Sequence, residues 1–198
     1  MYNLAILVSG NGTNLQYIID KIGTGDIKAK IEIVISDKSS AYAIERANKN
    51  GIKTLILEKK NLKNNLSNEI LKNVKNCNLI VLAGFLSILK GEIIEVFKNR
   101  IINIHPSLIP SFCGKGMYGI KVHEAAINRG VKVSGCTVHI VDKGTDTGTI
   151  LKQKTVTVNE NDTPENLAEK IHVLEHKALE EVINEYVNGK IDPEIFKR

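Results

Sequence analysis

The sequence predicts an α/β fold, a single domain built on a doubly wound, mostly parallel sheet. Three observations carry that prediction. Short apolar runs of strand length alternate with stretches whose apolar residues recur at helical spacing. Several of the runs are continuous rather than alternating, as in strands buried on both faces. The first run also stops at a glycine turn, Ser9-Gly10-Asn11-Gly12, directly before a helical pattern.

The elements follow in order. Asn3–Val8 is the first strand, and Thr13–Ile22 places Leu15, Ile18, Ile19 and Ile22 on one helical face. Lys30–Ser36 is a second strand. Ala41–Asn50 is a helix ending at Gly51, the residue type favoured just past a helix terminus. Thr54–Leu57 is a short strand, Leu66–Val74 a helix, and Asn78–Leu82 a strand stopped by Ala83-Gly84. Glu92–Lys98 is helical and Ile101–His105 is a fifth strand. From Pro106 to Lys121 the chain is rich in Pro, Gly and Ser and reads as a loop. A short helix covers His123–Arg129, and two more strands cover Val133–Val141 and Ile150–Val158. Asp162-Thr163 cap a last helix that starts at Pro164 and runs to about Val187.

Composition excludes several classes. No apolar run approaches the roughly 20 residues of a membrane span. Cys77, Cys113 and Cys136 form no metal-ligand spacing and no disulfide framework, which fits a reducing cytoplasm. The net charge is +5, but the lysines are scattered and only 5% of residues are aromatic, so nucleic acid is not the expected partner.

In open α/β sheets, ligands collect beyond the carboxyl ends of the strands. That rule selects Ser9–Asn14, Ala83–Leu89 and Asn103–Ser107. The glycine turn and the free N–H groups of the following helix suit a phosphate monoester. A plain strand–helix turn capped by Thr13 accounts for the same residues. Asn103 and His105 lie two apart on a strand and face the same way. An amide and an imidazole there can stabilise an oxyanion and carry a proton, or serve as a cap and a hydrogen-bonded strand end. In Asp142-Lys143-Gly144-Thr145-Asp146-Thr147-Gly148, turn geometry alone explains both aspartates. His139 reads as structural. His172 and His176 lie one helical turn apart with no third ligand in view.

Taken together, Ser9–Asn14, Ala83-Gly84-Phe85-Leu86-Ser87-Ile88-Leu89, Asn103-Ile104-His105-Pro106-Ser107-Leu108-Ile109-Pro110 and Asp142…Asp146 resemble the phosphoribosylglycinamide formyltransferases over nearly the whole chain. The resemblance implies a Rossmann-like formyltransferase fold over residues 1–198. It also implies a phosphate-binding half at about 1–100 and a folate-binding and catalytic half at about 101–188. The implied reaction moves a formyl group from 10-formyltetrahydrofolate to the amine of glycinamide ribonucleotide, in purine synthesis and without a metal. Asn103, His105 and Asp146 would be catalytic. Gly12, Thr13, Asn14 and Glu175 would hold the amine substrate. Lys63, Leu86, Ser87, Ile88, Leu89, Asn103, Ile140, Val141 and Asp142 would contact the folate, Lys63 toward its glutamate tail. Two departures stand out: Ser87 occupies a position where the family commonly has Arg, and Cys113–Gly119 varies a mobile, glycine-bearing loop.

The implied partners are these two small molecules, with no nucleic acid and no membrane, and the chain is expected to be a monomer or weak homodimer. A formyltetrahydrofolate hydrolase or another formyltransferase of the same fold is the nearest alternative. The length of the chain argues against the added domains those proteins need. A non-catalytic module holding a nucleotide-like anion would require Ser9–Asn14 but not Asn103, His105 and Asp146.

Overall fold

The computed structural model describes residues 1–194; the last four residues of the expected 1–198 domain lie outside the described residues. The strands are β1 (Tyr2–Val8), β2 (Ala29–Ser36), β3 (Thr54–Ile56), β4 (Leu79–Leu82), β5 (Ile101–His105), β6 (Val133–Ile140) and β7 (Ile150–Thr157). The helices are α1 (Thr13–Gly23), α2 (Ala43–Lys49), α3 (Lys59–Leu62), α4 (Leu66–Val74), α5 (Glu92–Val96), α6 (Ile120–Arg129) and α7 (Pro164–Val187). The strands form one sheet in the order β3-β2-β1-β4-β5-β6-β7. The pairs β1–β2, β1–β4, β2–β3 and β4–β5 are parallel. The pair β6–β7 is antiparallel, so the mostly parallel expectation holds with one antiparallel edge.

The described residues divide into two compact units, 1–103 with 183–194, and 104–182. In the first, Leu4–Val8 of β1 and Leu79–Val81 of β4 are almost fully buried, which explains their unbroken apolar sequence. Leu15 and Ile18 of α1, and Ile70 and Val74 of α4, supply the apolar faces of their helices. Tyr186 of the same unit donates its hydroxyl to the Asn99 carbonyl at 2.7 Å. In the second unit, Cys136 and Val138 of β6 and Leu167, Ile171, Ala178 and Leu179 of α7 are buried. Thr163 accepts the Asn166 N–H at 3.3 Å, the expected cap of α7.

The sequence reading missed α3 and the 3-10 turn Lys63–Asn65 that follows it. Both are polar, with no buried residue, and so carry no periodic apolar signal. Elsewhere the boundaries agree to within a few residues, and Leu66–Val74 and Ile101–His105 agree at both ends.

Among the described residues, no helix is long and apolar enough to cross a membrane.

Candidate active site

In the first unit, β1 and β4 are neighbours although their connections lead to opposite sides of the sheet. This is the switch point where an open sheet leaves a crevice. Ser9 sits at its lip. Its N–H donates to the Gly84 carbonyl at 3.1 Å, and its hydroxyl accepts the Leu86 N–H at 2.7 Å. These two bonds tie Ser9–Asn14 to Ala83–Leu89, two of the segments that the switch-point rule selects.

Gly12 precedes α1 at φ 74°, a left-handed conformation that favours glycine. A Cβ there would fall 2.5 Å from the Cβ of Ala43, so close packing demands glycine as well. Gly12, rather than Thr13, caps α1; no side chain caps it, and no acidic residue lies in its first turn. The opening N–H groups are left without a side-chain cap at the positive end of the helix dipole, an arrangement suited to an anion. Arg46 donates from Nε to the Asn11 carbonyl at 2.8 Å and brings a cation to the turn. Sequence reasoning missed Arg46, because nothing local distinguishes it from other exposed helical arginines.

Leu86 and Ile88 are exposed, Ile88 at 61%, whereas Leu89 is 3% exposed and part of the core. Apolar surface on this segment therefore comes from Leu86 and Ile88. Ser87 is buried and donates its hydroxyl to Asp37. Lys63 is exposed at φ 48°, on the 3-10 turn. Asn103 is half-buried on β5, two residues before His105.

In the second unit, His105 is 4% exposed at the end of β5. Its Nε2 lies 2.9 Å from the Phe112 carbonyl, which can only accept, so Nε2 carries a proton. Its Nδ1 lies 3.8 Å from the Asp146 carboxylate. On its other side, Asp146 lies 3.6 Å from Nε2 of His139. His139 donates from Nδ1 to the Ile140 carbonyl at 2.9 Å, which fixes its ring. The Gly114 N–H donates to Asp146 at 2.8 Å.

Burial opposes the charge on Asp146, but the His139 ring, the Gly114 N–H and the His105 ring outweigh it, and its pKa sits below the ordinary 3.8. Asp146 is thus an anion across the neutral range. It adopts φ 57°, a left-handed conformation that Asp and Asn tolerate better than most residues. Asp142, by contrast, accepts the Gly144 N–H at 2.9 Å and the Thr147 hydroxyl at 2.6 Å. The turn explanation therefore fits Asp142 and fails for Asp146. His139, read as structural from its strand position, belongs to the cluster. Strand alternation gave its face but no hint of the carboxylate opposite.

The Pro106–Gly119 loop is pinned from below. Thr137 donates its hydroxyl to the Ser107 carbonyl at 2.6 Å and accepts the Ile109 N–H at 3.1 Å. Ser107 donates to the Ser111 carbonyl at 2.6 Å. Of the backbone expected to meet the folate, Ile140 already uses its N–H on Thr149 and its carbonyl on His139. Val141 and Asp142 are half-buried.

Glu175 is buried on α7, with Oε2 3.0 Å from Nδ1 of His172. Its charge reaches His123 of α6, whose pKa lies below 6.5 because burial outweighs the pull of Glu175, with His105 adding to the depression. It also reaches Cys136, whose thiol burial pushes up to about 12 with help from Glu175. His123 is a polar core residue that the sequence reading passed over as part of a short helix. Among the described residues, no group of three or more His, Cys, Asp or Glu is arranged to hold a metal ion.

The formyl transferase family model matches residues 2–183. Phosphoribosylglycinamide formyltransferase of Bacillus subtilis (strain 168) is 36% identical over 93% of this chain and 94% of its own length. The chloroplastic enzyme of that name from Arabidopsis thaliana is 38% identical over 95% of this chain. The trifunctional purine biosynthetic protein adenosine-3 of Homo sapiens is 35% identical, also over 95% of this chain. The chain spans 66% of the Arabidopsis protein and 18% of the human one. The crystal structure of glycinamide ribonucleotide transformylase 1 from Symbiobacterium toebii superposes with a TM-score of 0.90 at 36% identity, over 97% of this chain and 90% of that one. On the family model and the Bacillus subtilis relative alike, the chain belongs to the formyl transferase family, among its phosphoribosylglycinamide formyltransferases.

Proposed function

We propose that the protein transfers a formyl group from 10-formyltetrahydrofolate to the amine of glycinamide ribonucleotide in purine synthesis, acting in the cytoplasm on two small soluble substrates. The observation that carries this reading is the Asp146 carboxylate lying between His105 and His139.

The amine nitrogen attacks the formyl carbon, and the formyl oxygen takes up negative charge. The Asn103 amide donates to that oxygen, a preorganised donor of the oxyanion-hole kind. The His105 ring, which Asp146 orients, hands a proton to the departing folate nitrogen. The amine nitrogen loses one proton as the folate nitrogen gains one, so no external acid is consumed. For this step the Phe112 carbonyl must release the His105 Nε2–H, which the glycines at 114, 116 and 119 allow by letting the loop move. The Gly12-Thr13-Asn14 turn takes the phosphate, Glu175 the glycinamide end, and Leu86 and Ile88 the pterin.

The test is absorbance turnover with a 10-formyl folate, with and without glycinamide ribonucleotide. Deformylated folate forming only when the amine is present is the expected result. Equal turnover without the amine identifies a hydrolase, and none in either case leaves a binding module.

A further inference from the structure

Helix α6 carries a histidine that the reaction outlined above does not use. His123 lies on the buried face of α6 with Val122 and Ala126, and it is 5% exposed. Its Nδ1 is buried and has no hydrogen-bond partner. The other two buried histidines of this unit are treated differently. His105 meets the Phe112 carbonyl and His139 the Ile140 carbonyl, each at 2.9 Å. A ring nitrogen taken out of water with no replacement partner costs the fold stability, whether it is a donor or an acceptor. Such groups are rare in a settled core, and a ligand that supplies the missing partner relieves them.

The surroundings say what kind of ligand fits. Burial keeps the ring neutral; Glu175 of α7 pulls toward its protonation and His105 of β5 opposes it, so both lie near enough to act on it. A neutral imidazole has one N–H and one lone pair, and the Glu175 carboxylate only accepts. A group that satisfies both must donate to the carboxylate, pair with the ring and carry no negative charge of its own. A phosphate fails on the last count. A hydroxyl or an amide meets all three conditions. Glycinamide ribonucleotide carries both, in its ribose and at its glycinamide end.

We propose that His123 is a further contact for the amine substrate, pairing with an uncharged hydroxyl or amide beside Glu175, and that the fold gives up stability to keep the ring open for it. This rests on the formyltransferase reading for the identity of the ligand. His123 thus joins substrate recognition to α6, the helix that follows the glycine-bearing loop over His105.

The test is His123→Leu, which keeps most of the side chain's bulk and removes both nitrogens. A residue that serves the fold alone loses stability when truncated to an apolar group. Here the melting temperature of the ligand-free variant should equal or exceed that of wild type, because a buried unpaired nitrogen is gone. Its calorimetric Kd for glycinamide ribonucleotide should rise about five- to tenfold, the worth of one neutral hydrogen bond. Its Kd for formyl folate should not change. His123→Asn returns a donor and an acceptor near the position of Nδ1 and should recover part of the lost affinity. Ribose 5-phosphate distinguishes the two sources of the contact: weaker binding of it to His123→Leu identifies a ribose hydroxyl, and unchanged binding identifies the glycinamide end. Wild-type affinity for glycinamide ribonucleotide in His123→Leu overturns the proposal. A His123→Leu chain that melts well below wild type or does not fold also overturns it, by making the ring structural, as does an Asn variant that binds no better than the Leu variant. Wild-type protein that does not bind glycinamide ribonucleotide at all refutes the formyltransferase reading itself.

Discussion

The two units each bury an aspartate, and the two are treated in opposite ways. Asp146 has a neighbour for both of its oxygens: Gly114 and His105 on one side, His139 on the other. Asp37 has a partner for one oxygen and none for the second. The first is a closed arrangement in which protein groups already fix the charge, as preorganised electrostatics requires. The second has an open valence beside exposed lysines, and the start of α1 has N–H groups that no side chain caps. In the proposed reaction the difference separates chemistry from capture. Changes in the closed cluster should alter kcat, and changes around the open groups should alter KM.

That division can be tested at four places, from the largest expected effect downward. His105→Ala and Asp146→Asn should each lower kcat by about 10²–10⁴, the range for a positioned proton carrier and its orienting carboxylate. Asn is the informative replacement at 146 because it tolerates the left-handed backbone there. A wild-type kcat in purified His105→Ala would remove the ring from the reaction. Asn103→Ala should cost about 10²–10³ in kcat with little change in KM. A KM effect alone would move Asn103 from the chemistry to the capture side.

Gly12→Ala should destabilise the fold by about 1–3 kcal/mol, through its positive φ and its collision with Ala43, and should raise KM for the ribonucleotide. Thermal melts and steady-state kinetics read the two effects; an unchanged KM would detach the turn from the phosphate. The smallest effect is in acid. The folded pKa of Asp146 is lowered, so its stabilisation is fully present above the unfolded value near 3.8 and is lost as pH falls through the lower folded value. The stability gap between wild type and Asp146→Asn, measured by denaturant midpoints, should be flat near neutrality and should close below about pH 4. A gap that closes nearer pH 6 would implicate a histidine instead.

Much of this was legible in the sequence, for reasons that differ by element. β1 and β4 announced themselves as unbroken apolar runs, and the switch-point rule then pointed to Ser9–Asn14 and Ala83–Leu89. The antiparallel β7 was also within reach. The stretch between Ile140 and Ile150 is shorter than the dozen or so residues that a parallel crossover needs. Asp142 and Asp146 could not be told apart, since both are good turn residues and only the distance to two histidines separates them. His139, His123 and Asp37 were silent for the same reason: their significance depends on what the fold brings opposite them. A cleft of the first unit lined by Lys38, Lys59, Lys60, Lys63 and Lys90 was hidden because α3 has no buried face to give it a period. Its lysines come from four separate stretches of chain.

The close approach of Ala43 to Gly12 gives helix α2 the role of a backstop. The Ala43 N–H is itself anchored to the Gly10 carbonyl at 3.1 Å, so the first turn and the start of α2 move together. A valine at 43 would press the turn outward and make the proposed phosphate cradle shallower. A glycine there would remove the wall without relieving the torsional demand at 12. Adaptation to a bulkier or slimmer ribonucleotide should therefore first appear in the sequence at position 43, one layer behind the surface it reshapes.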